Sequence, residues 1–198
     1  MKKIILLLVC LLFVTGCGEN DNPIVTMEIE NYGTIEIELY KDVAPNTVAN
    51  FVNLIQEGFY NDNSFHRLVK GFVLQGGDPL GNGTGGPGYT IDGEFKLNGF
   101  NNNLSHTTGV ISMARSPLDY NSQGSQFFIV LSDNVKSSLD NQYSSFGKVI
   151  KGMEIIKKIE MNEEVEDEES GKLKNNIKIV KTTVDTKGKT YTVKKNSK

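Results

Sequence analysis

The segment from Phe65 to Asp78, FHRLVKGFVLQGGD, carries one side chain with strong donor chemistry, Arg67, and around it Phe72, Val73 and Gln75. A second segment, QGSQFFIV from Gln123 to Val130, adds Gln126 and Phe128. The two-residue period of a strand puts that pair on one face. The inventory is a fixed cation, two amides and several aromatics, with no acid–base pair. Such a set can donate hydrogen bonds and hold an apolar group, but it cannot cleave one. The same residues also read as an apolar strand core with an incidental arginine, and spacing alone favours that plainer reading.

Other chemistries find little support. The chain has two histidines, His66 and His106, far apart in sequence, whereas a zinc site takes three or four ligands. Both histidines read as structural, and no metal or cofactor is expected. No G-x-S-x-G nucleophile elbow occurs. Gly83 to Gly88 contains a formal G-x-G-x-x-G, but Pro87 interrupts it and an extended segment, Tyr89 to Ile91, follows where a helix is needed. Gly188-Lys189-Thr190 ends like a phosphate-binding loop, yet Thr183 occupies the position of its first glycine. Both read as turns. A formal net charge of −3 gives no nucleic-acid surface.

The elements that must position these residues are legible in part. Thr34 to Leu39 alternates strictly, with Ile35, Ile37 and Leu39 on one face, as a half-buried strand does. Pro45 marks a helix start; Val48, Phe51, Val52 and Ile55 follow at helical spacing until Gly58. Short β-rich runs at Phe72–Leu74, Val110–Met113 and Phe127–Leu131 read as strands, as do Ile177–Val180 and Thr182–Val184. Met153, Ile156 and Ile159 suggest a second helix. The acidic run EEVEDEE, Glu163 to Glu169, reads as a solvated loop spanning 161–171. Many short strands with two helices imply a mostly β, barrel-like domain.

The N-terminus stands apart. Lys2 and Lys3 precede an unbroken apolar run of 11 residues, Ile4 to Val14. That is too short for a bilayer span of about 20 residues and fits a secretory signal. Val14-Thr15-Gly16-Cys17 resembles the lipobox of bacterial lipoproteins, which implies a signal peptide over 1–16 and lipidation of Cys17. Cys10 would leave with the signal, so no intramolecular disulfide would remain. Residues 17–23 then form a polar tether, 24–185 the folded domain, and 186–198 a basic tail. The expected location is the outer face of a cell membrane, held there by lipid.

FHRLVKGFVLQGGD closely resembles the central signature of the cyclophilins, the peptidyl-prolyl cis/trans isomerases. GTGGPGYTIDGEF (Gly83 to Phe95), GVISMAR (Gly109 to Arg115), QGSQFFIV (Gln123 to Val130) and FGKVIKGMEII (Phe146 to Ile156) resemble that family too, and in its order. The resemblance implies a closed eight-stranded barrel capped by two α-helices, and an enzyme that speeds X-Pro isomerisation without cofactor. It places the catalytic arginine on Arg67 and its glutamine partner on Gln75. The proline pocket falls on Phe72, Val73, Phe128 and Leu139, with Ala114, Arg115 and Gln126 along the bound peptide. The family's pocket histidine is replaced by Tyr143 and its tryptophan by Ser138, which implies weak binding of cyclosporin. Proline-containing segments of exported proteins are the expected partners, and the domain is expected to act as a monomer. A groove kept only for binding, as a chaperone or scaffold, is the alternative; Arg67 favours the enzyme.

Overall fold

The computed structural model describes residues 21–196. The expected signal peptide and Cys17 lie outside the described residues. Among the described residues, no helix is long and apolar enough to cross a membrane.

The chain opens with two strands, β1 (Ile24–Ile29) and β2 (Gly33–Leu39). Their alternating Val25, Met27, Ile29 and Ile35, Ile37, Leu39 all turn inward and are buried. A turn with Asn31 at φ 63° joins them into an antiparallel hairpin. Helix α1 (Pro45–Gln56) starts with Pro45 in its first turn, where a missing N–H costs nothing. Ala44 offers no side-chain cap. The buried Glu94 supplies one instead, accepting the N–H groups of Asn46 (3.0 Å) and Thr47 (2.7 Å). Strands β3 (Ser64–Val69), β4 (Val73–Gly76), β5 (Val110–Met113) and β6 (Phe127–Val130) follow. The short helix α2 (Lys136–Leu139), strand β7 (Ser145–Lys151), helix α3 (Met153–Asn162), and strands β8 (Val165–Asp167) and β9 (Lys172–Asp185) complete the order.

The sheet runs β1-β2-β7-β5-β6-β4-β3-β9, and β9 pairs back with β1 to close it. Eight strands therefore form a barrel, and β8 hangs outside on β9. The expected closed barrel is present, with three α-helices where two were expected; the third is the single turn α2. Inside, Phe51 of α1 lies 5.4 Å from Phe127 and 5.1 Å from Phe146, both edge-on, and 4.9 Å from Tyr60. Removing such a fully buried ring costs about 3–5 kcal/mol.

Two sequence expectations are corrected, and the basic tail is found in contact with the domain. The two late strands are one 14-residue strand, because β9 runs from β3 to β1 and the barrel wall is continuous there. The acidic run is a loop only in part: Val165–Asp167 pairs with β9 through Val165↔Leu173 and Asp167↔Lys172, and Glu168 to Gly171 form the turn between them. Like charges tolerate the strand because Lys172 and Lys174 from β9 reach Glu166 (2.5 Å) and Glu164 (2.8 Å). The basic tail is docked up to Asn196, whose backbone N–H reaches the Thr90 carbonyl at 2.9 Å.

Candidate active site

Every residue of β5 and β6 is buried, so both faces of the barrel wall are covered there. Ile111, Met113, Phe127 and Ile129 point into the barrel; Val110, Phe128 and Val130 point outward into a second apolar cluster. That outer cluster also holds Val73, Val135 and Leu139, with Phe72, Leu104, Ala114 and Tyr143 packed at its margin. Val73, Phe128 and Leu139 are nearly buried and form the floor. Phe72, Ala114 and Tyr143 are half-buried and form a rim. Ser138, one residue before Leu139, is exposed on α2.

Arg67 reaches this outer face through an irregularity. Phe65 pairs with Gly76, yet Arg67 pairs with Gln75, so His66 is an extra residue in β3. Without that bulge, the two-residue period would put Arg67 inside with Phe65. With it, Phe65 and Leu68 face the core while Arg67 faces out. Register then lines up Arg67, Gln75, Phe128 and Ser112 across four neighbouring strands.

A chain of amides fixes the arginine. Arg67 Nη1 donates to Gln75 Oε1 at 3.1 Å, and Gln75 Nε2 donates to Gln126 Oε1 at 3.0 Å. Gln126 Nε2 donates to the carbonyls of Gly83 and Gly85, both at 2.9 Å. A carbonyl can only accept, so these two take the donating NH2 end of Gln126 and turn its oxygen toward the Gln75 NH2, which turns the Gln75 oxygen toward Arg67. On its other side Arg67 Nε donates to the Ser170 carbonyl at 2.7 Å, in the turn between β8 and β9. Among the described residues two of the five guanidinium donors are engaged in this way, which leaves others for a bound chain. Burial pushes Arg67 below its usual range and Tyr143 draws it back up; an arginine stays charged under such shifts.

The glycine-rich loop that supplies the carbonyls is itself held by Asp78, which accepts from the N–H groups of Leu80, Asn82 and Gly83. Burial alone would raise the Asp78 carboxyl, but these donors and Gly85 hold it below its ordinary value. A side chain at Gly85 would collide with that carboxylate.

The contacts of several supporting groups named from the sequence become visible only in the fold. His106 stacks on Phe128 at 6.1 Å and 20°. Its Nδ1 lies 2.8 Å from Asp140 Oδ1 and its Nε2 lies 3.1 Å from Ser112 Oγ. It braces the pocket floor. Burial pushes it below its usual pKa, with Asp140 opposing. Arg115 is largely occupied by structure: Nε donates to the Gln142 carbonyl at 3.0 Å, and its guanidinium lies over Tyr120 (4.7 Å), Tyr143 (4.8 Å) and Phe95 (5.4 Å). His66 has both ring nitrogens buried and unpartnered.

Comparison with known proteins agrees with this geometry. The model of the cyclophilin type peptidyl-prolyl cis-trans isomerase family matches residues 24–184. Peptidyl-prolyl cis-trans isomerase B of Bacillus subtilis is 47% identical over 129 residues, covering 65% of this chain and 85% of its own. A peptidyl-prolyl cis-trans isomerase of Helicobacter pylori is 43% identical over 138 residues, covering 69% and 80%. A Cryptosporidium parvum cyclophilin type isomerase, crystallised in the presence of the dipeptide Ala-Pro, superposes with a TM-score of 0.72 at 34% identity, covering 82% of this chain and 98% of that one. The chain belongs to the cyclophilin type peptidyl-prolyl cis-trans isomerase family. Its activity is the isomerisation of peptidyl-prolyl bonds.

Proposed function

We propose that Arg67 is the catalytic donor, that the cluster of Phe72, Phe128 and Leu139 receives the proline ring, and that the enzyme serves exported proteins from a lipid anchor at Cys17. The observation that carries the site is the Arg67–Gln75–Gln126 relay set beside an apolar pocket on one face. Rotation about a peptide C–N bond meets a barrier of about 18–20 kcal/mol from amide resonance. At X-Pro both isomers are populated and exchange takes tens to hundreds of seconds. In the twisted transition state the proline nitrogen leaves conjugation and gains a lone pair. A positioned N–H donor binds that state better than the planar amide, which is what lowers a barrier. No bond is made or broken, so the pocket needs only to hold the ring while Gln75 and Ser170 hold Arg67. Ala114 and Gln126 border the same face and suit contact with the peptide on either side of the proline. The polar tether before Ile24 and the lipobox-like segment favour action outside the cytoplasm.

Exchange NMR on a proline peptide tests the catalytic reading with the purified full-length protein. Arg67→Ala is expected to lower turnover on the order of a hundredfold while peptide affinity weakens modestly, because the lost contact forms mainly in the transition state. A folded Arg67→Ala protein with wild-type exchange would sink the mechanism in favour of a binding-only groove. Cys17→Ser is expected to shift the protein from membrane to soluble fraction; an unmodified Cys17 in the native protein would refute the anchor.

A further inference from the structure

The hairpin of β8 and β9 hangs outside the barrel, yet its turn lies against the strand that carries Arg67. Both arms of the hairpin are held. Leu173 of β9 is buried in the main core, and the Lys174 backbone N–H donates to the Glu164 carbonyl at 3.0 Å. The register of β3 against β9 shifts between Phe65 and Arg67, where β3 also bulges against β4. That shift brings Arg67 opposite Lys172, the first residue of β9 after the turn.

Two residues shape the turn. Asp167 closes it: its carboxylate accepts the Ser170 N–H at 3.0 Å and the Glu169 N–H at 3.4 Å, and its carbonyl accepts the Gly171 N–H at 2.8 Å. Gly171 aims it. Its φ of 73° is left-handed, which glycine adopts without penalty. Along an extended strand successive carbonyls point to opposite sides, whereas a left-handed residue between two of them brings both to one side. Here both meet β3. The Ser170 carbonyl accepts from Arg67 Nε at 2.7 Å, and the Gly171 carbonyl accepts the Leu68 N–H at 2.7 Å. A Cβ on Gly171 would lie 2.5 Å from Val69 Cγ2 and 2.8 Å from the Leu68 carbonyl oxygen, so only a bare backbone can come this close.

The guanidinium is thus fixed at Nε by the turn and at Nη1 by Gln75. Among the described residues nothing engages Nη2, which keeps both of its N–H groups for a bound chain.

We propose that the β8–β9 turn is a clamp that aims the catalytic arginine, and that Asp167 and Gly171 are positioning residues for isomerisation. The proposal rests on the reading of Arg67 as the catalytic donor. Neither residue touches the peptide; each acts through the Ser170 carbonyl on Arg67 Nε.

The test uses the full-length protein with Asp167→Ala, Asp167→Asn and Gly171→Ala. Exchange NMR at several concentrations of a proline peptide separates kcat from KM. A ¹⁵N–¹H spectrum follows the Arg67 Nε–H, assigned by its loss in Arg67→Lys. Asp167→Ala is expected to lower kcat about fivefold with KM unchanged, the scale of one net hydrogen bond. Its Nε–H resonance should move toward that of a free arginine and exchange faster with water. Asp167→Asn keeps an acceptor for the Ser170 N–H and should restore both kcat and the resonance. Gly171→Ala should lower kcat further; if it melts early, the two Asp167 variants decide. A wild-type kcat in Asp167→Ala overturns the proposal, as does a lowered kcat with the Nε–H resonance unmoved, which would mark a merely structural role. An Asn variant as slow as the Ala variant overturns it too, because charge and not turn geometry would then be acting. If Arg67→Ala itself exchanges the peptide at the wild-type rate, the catalytic reading falls and the proposal falls with it, a result separate from any of the Asp167 outcomes.

Discussion

Replacing Gln126 by Leu cuts the relay at its middle. The change keeps most of the side-chain volume and removes one acceptor and two donated hydrogen bonds. The carbonyls of Gly83 and Gly85 sit at the surface and gain water, so little stability is lost there. The half-buried Gln75 amide loses its partner, which costs about 1 kcal/mol. Its oxygen is then free to swing from Arg67, which keeps only the Ser170 carbonyl. Arg67 still has its charge and one anchor, so turnover should fall about tenfold, equal to roughly 1.4 kcal/mol on the barrier, well short of the Arg67→Ala loss. The drop should appear in kcat, because a misaimed donor matters most where the nitrogen is twisted. Gln75→Leu should do the same, and the double variant should be little worse than either alone, since both break one path. Exchange NMR across the four proteins, with melts as a folding control, measures this. Fully additive losses, or a raised KM with kcat intact, would refute the relay and leave Gln126 as a direct peptide contact.

Two further perturbations follow from the scaffold. Gly85→Ala should push the glycine-rich loop off Asp78, cost about 1–3 kcal/mol in a thermal melt, and slow turnover much as Gln126→Leu does; wild-type stability and rate would contradict the tight approach. Burial holds His66 and His106 below their ordinary pKa, so below about pH 6.5 the unfolded chain takes up protons that the folded one refuses. Stability should therefore fall as pH drops from 7 toward 5 and return as it rises. His66→Leu should flatten that slope in denaturant titrations, and an unchanged slope would refute the assignment.

The hairpin of β1 and β2 was legible because each strand buries one face only and so writes its period into the sequence; α1, buried without a break from Thr47 to Val52, was legible from Pro45 at its start and the apolar spacing of Val48, Phe51, Val52 and Ile55. The shared face of Gln126 and Phe128 was legible from the two-residue period of a strand alone, although β6 itself is buried on both faces. Arg67 was identifiable by type, but not how it reaches the surface: an extra residue at His66 shifts the phase of β3, and alternation counted from Phe65 aims Arg67 inward. The strand in the acidic run and the unbroken course of β9 through Asn175 and Asn176 depend on partners distant in sequence. Local pattern carries no trace of such pairing. His106 as the brace under Phe128 likewise follows only once β5 and β6 are side by side.

The place of β1 in the barrel bears on mechanics. Any load arriving through the residues before Pro23 enters a strand bonded on both sides, to β2 from Ile24↔Glu38 to Ile29↔Gly33 and to β9 from Ile24↔Asp185 to Ile29↔Ile179. Those hydrogen bonds lie across the strand, so a pull along it shears both ladders together instead of opening them one rung at a time. The proposed catalytic face is borne by β3, β4 and β6, which join β1 through β9 on one side and through β5, β7 and β2 on the other. Were the chain held at its N-terminus, as proposed for Cys17, the load would fall first on β1 and its two ladders, with β9 between them and the strand that carries Arg67.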